Sequence, residues 1–228
     1  VVIVGGGILG LSVAWHLART DRVRVVVIER QSLASQATSR AAALLTLGRA
    51  DARFTRLVQR TFAAFDELGD ALGAPLPLHR HGSLSVTTTA AGRRGLQALI
   101  DGATAAAVSF ETVSAADAGR LVPWLTVTED VTCAFCPEDA FIDPYLLASS
   151  YGAAARQAGA TIVNGVAVTG LSVAAGGVSG VSTTAVTIGA NSPKALAKML
   201  ALMAEASTCT RLAPSSTART ARSAARRS

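Results

Sequence analysis

The chain opens with four apolar residues, Val1 to Val4, that run directly into a cluster of glycines. An uninterrupted apolar run of this kind predicts a short parallel strand buried on both faces. The period then changes. Leu9, Val13 and Leu17 fall on one helical stripe and predict a helix from Leu9 to Ala18. A second apolar run, Val23 to Ile28, ends at Glu29, so the first thirty residues predict a complete β-α-β unit. Gln31 to Leu47, rich in Ser, Ala, Thr and Gln, predicts a loop leading into a short helix rather than a regular crossover helix. Phe54, Leu57, Val58, Phe62, Phe65, Leu68 and Leu72 recur at steps of three and four, which predicts a long amphipathic helix ended by Gly73.

Further along, Leu84 and Val86 predict strand, residues 91–107 an alanine-rich helix, and Asp117 to Leu121 a short helical piece stopped by Pro123. Asp143-Pro144 is a helix start, with a capping carboxylate and a proline in the first helical position. That helix carries Leu146, Leu147, Tyr151 and Ala155 on one face and closes at Gly159. Thr161–Val163, Val166–Val173 and Val178–Val181 predict short strands separated by Asn164-Gly165 and Gly176-Gly177 turns, with a shortened strand at Thr184–Thr187. Beyond about residue 204 the chain is Ala, Arg, Ser and Thr without periodicity, and disorder is expected.

Charge changes the picture only when it is located. Residues 194–228 hold seven basic side chains against Glu205, whereas the arginines and acids of residues 1–193 cancel. The high pI therefore belongs to the tail and not to a basic folded face. The tail could serve as a nucleic-acid arm, but an unstructured end is the favoured reading and no nucleic-acid partner is expected. No apolar stretch is long enough for a membrane span. The first fourteen residues lack a basic leader and a cleavage site, so they are not read as a signal peptide. The start at Val1, already inside a strand, suggests a fragment. Cys133 and Cys136 have C-x-x-C spacing, yet no second cysteine pair or spaced histidine cluster accompanies them. They are read as small strand residues and no metal is expected; this fits a reducing, cytoplasmic compartment. His79, Arg80 and His81 are read as surface residues.

The chemistry-bearing motif is Gly5-Gly6-Gly7-Ile8-Leu9-Gly10, which satisfies G-x-G-x-x-G. Gly5 permits the tight strand-to-helix turn, Gly7 lets backbone approach a pyrophosphate, and Gly10 lets the helix sit close on the sheet. N–H groups at the helix start then face the diphosphate. Glu29 is spaced to accept hydrogen bonds from a ribose 2′-hydroxyl and would repel a 2′-phosphate, which disfavours NADP. A dinucleotide cofactor follows. In an NAD domain the second strand leads into another regular crossover helix. Here Glu29-Arg30 is followed by the polar, small-residue segment Ser32 to Arg40, which can serve a second part of a longer cofactor and favours FAD.

At these residues the chain resembles the FAD-dependent amino-acid oxidase and dehydrogenase family, which includes glycine oxidase, sarcosine oxidase and D-amino-acid dehydrogenases. The resemblance rests on VVIVGGGILGLSVAWHLA at 1–18, VVVIER at 25–30 and SLASQATSRAAALL at 32–45. It continues through HGSLSV at 81–86, CPEDAFIDPYLLA at 136–148 and AARQAGATIVNGVAVTGL at 154–171. It implies an α/β fold: a Rossmann-like FAD-binding domain with an inserted, incomplete α+β substrate domain. The implied division is 1–74 for the first part of the FAD domain, 75–142 for the substrate part, 143–203 for the return, and 204–228 for a disordered basic tail.

The same resemblance implies roles. Ile8 and Leu9 would lie over the adenosine diphosphate, Glu29 and Arg30 at the adenosine ribose, and Ala37 and Thr38 at the pyrophosphate. Ala42, Ala43 and Leu44 would run beside the flavin ring, where many relatives carry glycine in place of Ala43. Val168 would touch adenine through its backbone. Relatives continue through an apolar strand and an Ala-Gly-Ala-Trp-Ser-like turn that Ile188-Gly189-Ala190-Asn191-Ser192 resembles only faintly. They hold their carboxylate-binding arginine beyond it, so the chain is expected to be truncated and no catalytic residue is named. The implied reaction is oxidation of a small amine or D-amino acid, its Cα–H facing flavin N5, by hydride transfer to the flavin. A degenerate, non-catalytic nucleotide-binding fragment and an NAD-dependent dehydrogenase stand as alternatives.

Overall fold

The computed structural model describes residues 1–189 apart from Val127, Glu129, Ala175 and Val186. The expected disorder of 204–228 lies outside the described residues. The elements run β1 (Val2–Val4), α1 (Ile8–Ala18), β2 (Val26–Glu29), a 3-10 turn (Thr38–Arg40), β3 (Leu44–Leu45), α2 (Ala52–Leu72), β4 (Ser83–Thr87), α3 (Ala90–Thr104) and β5 (Glu111–Val113). They continue through α4 (Ala115–Leu121), β6 (Thr132–Cys136), β7 (Ala140–Phe141), α5 (Pro144–Gln157), β8 (Thr161–Asn164), β9 (Val168–Ala174), β10 (Gly177–Thr183) and β11 (Thr187–Gly189). This is a mixed α/β fold.

A three-stranded parallel sheet, ordered β1-β2-β8, sits at the centre. Its middle strand is buried on both faces, which is why Val25 to Ile28 are all apolar. Val25 and Val27 pack with α1 and α5, in a cluster that includes Leu11, Trp15, Leu147 and Tyr151. Val26 and Ile28 pack on the other side with Val163, Val166 and Val181, under the antiparallel sheet β11-β10-β9. A third cluster, with Leu47, Phe62, Val108 and Cys136, lies under a separate antiparallel sheet ordered β4-β6-β5. A two-stranded ribbon, β3 with β7, joins the segment after the 3-10 turn to that region.

Local chemistry sets the helix ends. Asp51, Thr89, Ser114 and Asp143 each accept a first-turn backbone N–H, at the starts of α2, α3, α4 and α5. The hydrogen bond from Arg53 holds the Asp51 carboxyl down at about 2. Gly73 ends α2 at φ +74, a left-handed conformation that glycine adopts without a Cβ penalty. Gly165 and Gly176 both have φ +79 in the two expected strand turns.

Three expectations need correction. The Leu9, Val13, Leu17 stripe is not the buried face of α1: Leu9 is 81% exposed and Val13 49%. The buried face is Leu11, Ala14, Trp15 and Ala18, because α1 packs sideways on α5. The second strand starts at Val26 rather than Val23, where the N–H of Val26 donates to the carbonyl of Val1. The strand expected at Thr184–Thr187 is Thr187–Gly189. Thr184 donates its N–H to the Ala167 carbonyl, and its Oγ accepts the Ala167 N–H, so the chain is tied there instead of extending. Ile188 and Gly189 consequently end a strand, while Ala190 to Ser192 lie outside the described residues.

Candidate functional site

The turn between β1 and α1 is built by its glycines. Gly5 lies at φ +105 and donates its N–H to the Ile28 carbonyl at 2.9 Å, which locks the turn onto β2. A Cβ on Gly10 would stand 2.0 Å from the Gly5 carbonyl oxygen, so only glycine lets α1 start this close to the strand. A Cβ on Gly7 would meet only the Thr38 hydroxyl, at 3.0 Å. Gly7 caps α1 with no side-chain acceptor. The first-turn N–H groups, which have no intrahelical partner, are thus presented beside a positive helix end. Thr38 Oγ accepts the Ile8 N–H at 3.1 Å and keeps its own proton for an acceptor beyond.

Gly6 was not singled out from sequence, yet it is the most constrained of the set after Gly10. Its Cβ would meet Leu33 Cδ2 at 2.5 Å and Glu29 Cβ at 3.0 Å. Its N–H donates to Glu29 Oε2 at 2.8 Å, while Gln31 N–H donates to Oε1 at 2.8 Å. Glu29 therefore faces the glycine turn, held by two backbone donors. Each carboxylate oxygen retains a further lone pair for a sugar hydroxyl. The Ala34 N–H donates to the Gly6 carbonyl, which folds the segment after β2 back over the turn.

Gly7, Glu29, Ala37 and Thr38 meet in one cleft of about 160 Å³, joined by Ser32, Ala34, Ser35 and Gln36. Ile8 reaches it through Thr38, and Leu9 is exposed beside it on the first turn of α1. The remaining candidates do not line the cleft. Arg30 is exposed one residue past β2, and Ala42, Ala43 and Leu44 continue along the chain beyond the 3-10 turn. Ala43 has φ +49, a conformation that L side chains rarely adopt and that glycine would take freely. Val168 begins β9, two residues after Val166, whose N–H donates to the Glu29 carbonyl at 3.1 Å.

A wider cleft of about 530 Å³, between the end of α2 and the segment to Arg80, shares none of these residues. Cys133 and Cys136 are both buried on β6, where a spacing of three sends their side chains to opposite faces. Burial and the neighbouring Asp139 carboxylate push the Cys136 thiol up to about 12, which leaves it unreactive. Asp139 itself, 2% exposed, was missed from sequence. It accepts the Leu47 N–H at 2.7 Å and the Ser83 hydroxyl at 2.5 Å, and so ties the stretch after β3 to β4. His79 and His81 are exposed, as expected; the His79 ring stacks on Phe141, and the His81 ring lies tilted to it with centroids 6.1 Å apart. Among the described residues no group of three or more His, Cys, Asp or Glu could hold a metal ion, and no helix is long and apolar enough to cross a membrane.

The residues present fit a dinucleotide. The glycine turn leaves room for a diphosphate where a Cβ would intrude, the helix end supplies donors, and Glu29 stands where an adenosine sugar would follow. Comparison with known proteins agrees. A family model described as DAO, FAD dependent oxidoreductase, matches residues 1–223. The regulatory subunit of mouse (Mus musculus) mitochondrial pyruvate dehydrogenase phosphatase is 28% identical over 183 residues, 80% of this chain and 21% of that protein. Human (Homo sapiens) mitochondrial dimethylglycine dehydrogenase is 26% identical over 161 residues, 71% of this chain and 19% of that protein. NikD, an amino acid oxidase of nikkomycin biosynthesis, superposes with a TM-score of 0.68 at 28% identity, covering 82% of this chain and 48% of that one. The chain thus spans about a fifth of these curated relatives and about half of the solved structure. It belongs to the DAO family of FAD-dependent oxidoreductases, and FAD is its cofactor.

Proposed function

We propose that this chain is the cofactor-binding portion of an oxidoreductase that oxidises a small amine or a D- or N-methylated amino acid. The observation that carries the reading is the cleft in which Glu29 and Thr38 are brought to the Gly5–Gly10 turn. Its support in chemical class comes from relatives named for dimethylglycine and for amino acid oxidation. When bound, FAD supplies the acceptor for the hydride that leaves the carbon next to nitrogen. The chain's own part is to hold that acceptor. Glu29 fixes the sugar through its remaining lone pairs, the α1 end and Thr38 hold the diphosphate, and Leu33 and Ala34 close the segment over the turn. A cytoplasmic location is part of the same proposal; the buried free thiols of Cys133 and Cys136 are compatible with a reducing compartment.

Purified protein tests the reading. The expected result is a yellow preparation with flavin absorption bands that bleach anaerobically when sarcosine, dimethylglycine or a D-amino acid is added. A colourless protein that takes up no FAD refutes it. A second reading has an observation of its own, since one relative is named as a regulatory subunit and not as an oxidoreductase. In that reading the chain binds FAD as a structural element of an interaction module. It predicts bound flavin that no amine reduces.

A further inference from the structure

Of the apolar positions that recur along α2, the fold does not use all. Val58, Phe62, Phe65, Leu68 and Leu72 pack into the core clusters. Phe54 and Leu57, about one turn apart near the start of the helix, do not, and are 59% and 58% exposed. Arg53, Arg56 and Arg60 stand among them, and the five side chains line an open depression of about 510 Å³. None of these lining residues is acidic. Arg53 is paired with Asp51 at 2.6 Å, but Arg56 only donates to the Ala105 carbonyl, at 3.1 Å, and Arg60 has no hydrogen bond or ion pair among the described residues. Two cationic side chains without a carboxylate thus stand beside two apolar ones left open to solvent. An apolar patch rimmed in this way marks a surface that meets something else.

Shape and charge select the occupant. All five residues belong to α2, so the depression has no second wall of the kind that grips a peptide or a nucleotide. A helix face that sets arginines beside Phe and Leu suits a broad interface, where the apolar groups sink in and the long basic stems keep their charged ends in the polar layer. The sequence carries a second cationic element, since residues 194–228 hold seven basic side chains against Glu205 while the charges of 1–193 cancel. An acidic protein would have to match both at one fixed spacing. A sheet of anionic headgroups meets them at any spacing, and its negative surface potential attracts each basic residue. We propose that this face of α2 docks the protein on an anionic lipid bilayer, with Phe54 and Leu57 entering the headgroup boundary and Arg56 and Arg60 facing lipid phosphates. Because no described helix is long and apolar enough to span a membrane, the contact lies on the surface. It is independent of the cofactor cleft, with which it shares no residue.

The test is co-sedimentation of the full chain with phosphatidylcholine vesicles containing about 30% phosphatidylserine, set against vesicles of phosphatidylcholine alone. Wild-type protein is expected to bind the anionic vesicles and to be released by salt, which screens the arginines. Arg60→Gln should weaken binding about fivefold, the equivalent of about 1 kcal/mol. Phe54→Ala should weaken it by a similar factor, and both variants should keep the wild-type Tm and FAD uptake. Phe54→Trp should retain the affinity, and its added emission should shift to the blue on vesicles and be quenched by lipids brominated in the acyl chain. The basic tail is the same in every variant, so these losses read α2 alone. Wild-type protein that leaves anionic vesicles unbound overturns the proposal. So does equal binding by the wild type and both variants, which would assign the attraction to the tail. Self-association without lipid that Phe54→Ala abolishes, or binding of polyglutamate or a DNA duplex but not of vesicles, overturns it by naming another occupant.

Discussion

Three single-methyl substitutions in the opening turn separate its architectural glycines from its ligand-facing one. In Gly10→Ala the added Cβ would stand 2.0 Å from the Gly5 carbonyl oxygen and 3.3 Å from Ile3 Cγ2. The oxygen cannot retreat, because the same turn is anchored through the Gly5 N–H to the Ile28 carbonyl. Relief needs α1 to move by more than an ångström off the sheet, which costs roughly 3 kcal/mol. For a chain of this size that is a fall of about 6–12 °C in Tm. Gly5→Ala meets nothing within 4 Å but must hold φ +105, a backbone strain of about 1–3 kcal/mol. Gly7→Ala meets only the Thr38 hydroxyl oxygen, at 3.0 Å, which a shift of a few tenths of an ångström relieves, so its stability loss should stay below about 1 kcal/mol. Its methyl instead occupies the approach to a diphosphate, and FAD affinity should fall by about 30-fold, or about 2 kcal/mol. Thermal melts of the apo-protein followed by FAD titration read both quantities. If Gly7→Ala melts as low as Gly10→Ala, or binds FAD like the wild type, the division of labour argued for this turn is wrong.

Other substitutions probe the surrounding contacts. Asp139→Ala leaves the Leu47 N–H and the Ser83 hydroxyl without their acceptor and should cost roughly 2–4 kcal/mol in urea unfolding. Asp139→Asn, which can accept from Leu47 and donate to Ser83, should recover more than half; a loss equal to that of alanine would contradict this geometry. Glu29→Gln keeps an acceptor for only one of the two backbone donors, so it should weaken FAD binding and lower Tm together, and a change in one without the other would exclude the shared role. Native Cys136 should resist iodoacetamide at pH 8 and react only after unfolding. Its folded value near 12 stands above the ordinary 9, so the stability it contributes is complete below pH 9 and is lost as pH climbs toward 12. Rapid labelling of the folded chain would contradict its burial.

What could be read from sequence was what the backbone itself demands. Gly5 and Gly10 are needed by a turn that no other residue can make, and Asp143-Pro144 and Gly73 mark helix ends through local hydrogen bonding, so each was visible within a few residues. The apolar run of β2 was visible for a related reason, since a strand buried on both faces tolerates no polar position. The stripe of Leu9, Val13 and Leu17 misled because a helical period gives a face without saying which neighbour covers it; α1 leans on α5, far along the chain. Glu29 was placed at the right end of the right strand, but its bonds to Gly6 and Gln31 depend on a fold-back through Ala34 that no spacing encodes. Asp139 and the Phe141–His79 stack were beyond reach for the same reason. Their partners are distant in sequence, and nothing local distinguishes a buried, bonded aspartate from one in a solvated turn.

The central sheet also has an order of assembly written into it. The β1–β2 pairing closes over a single short helix and can form as soon as about thirty residues are available. The β2–β8 pairing joins Val26 to Thr161 and must wait for nearly everything between them. Long-range parallel pairing of this kind is slow, because loop closure precedes any contact that rewards it. Until β8 arrives, one side of β2 carries unmet donors and acceptors. In refolding, amide protons between β1 and β2 should be the first to resist exchange with solvent, and those on β8 the last.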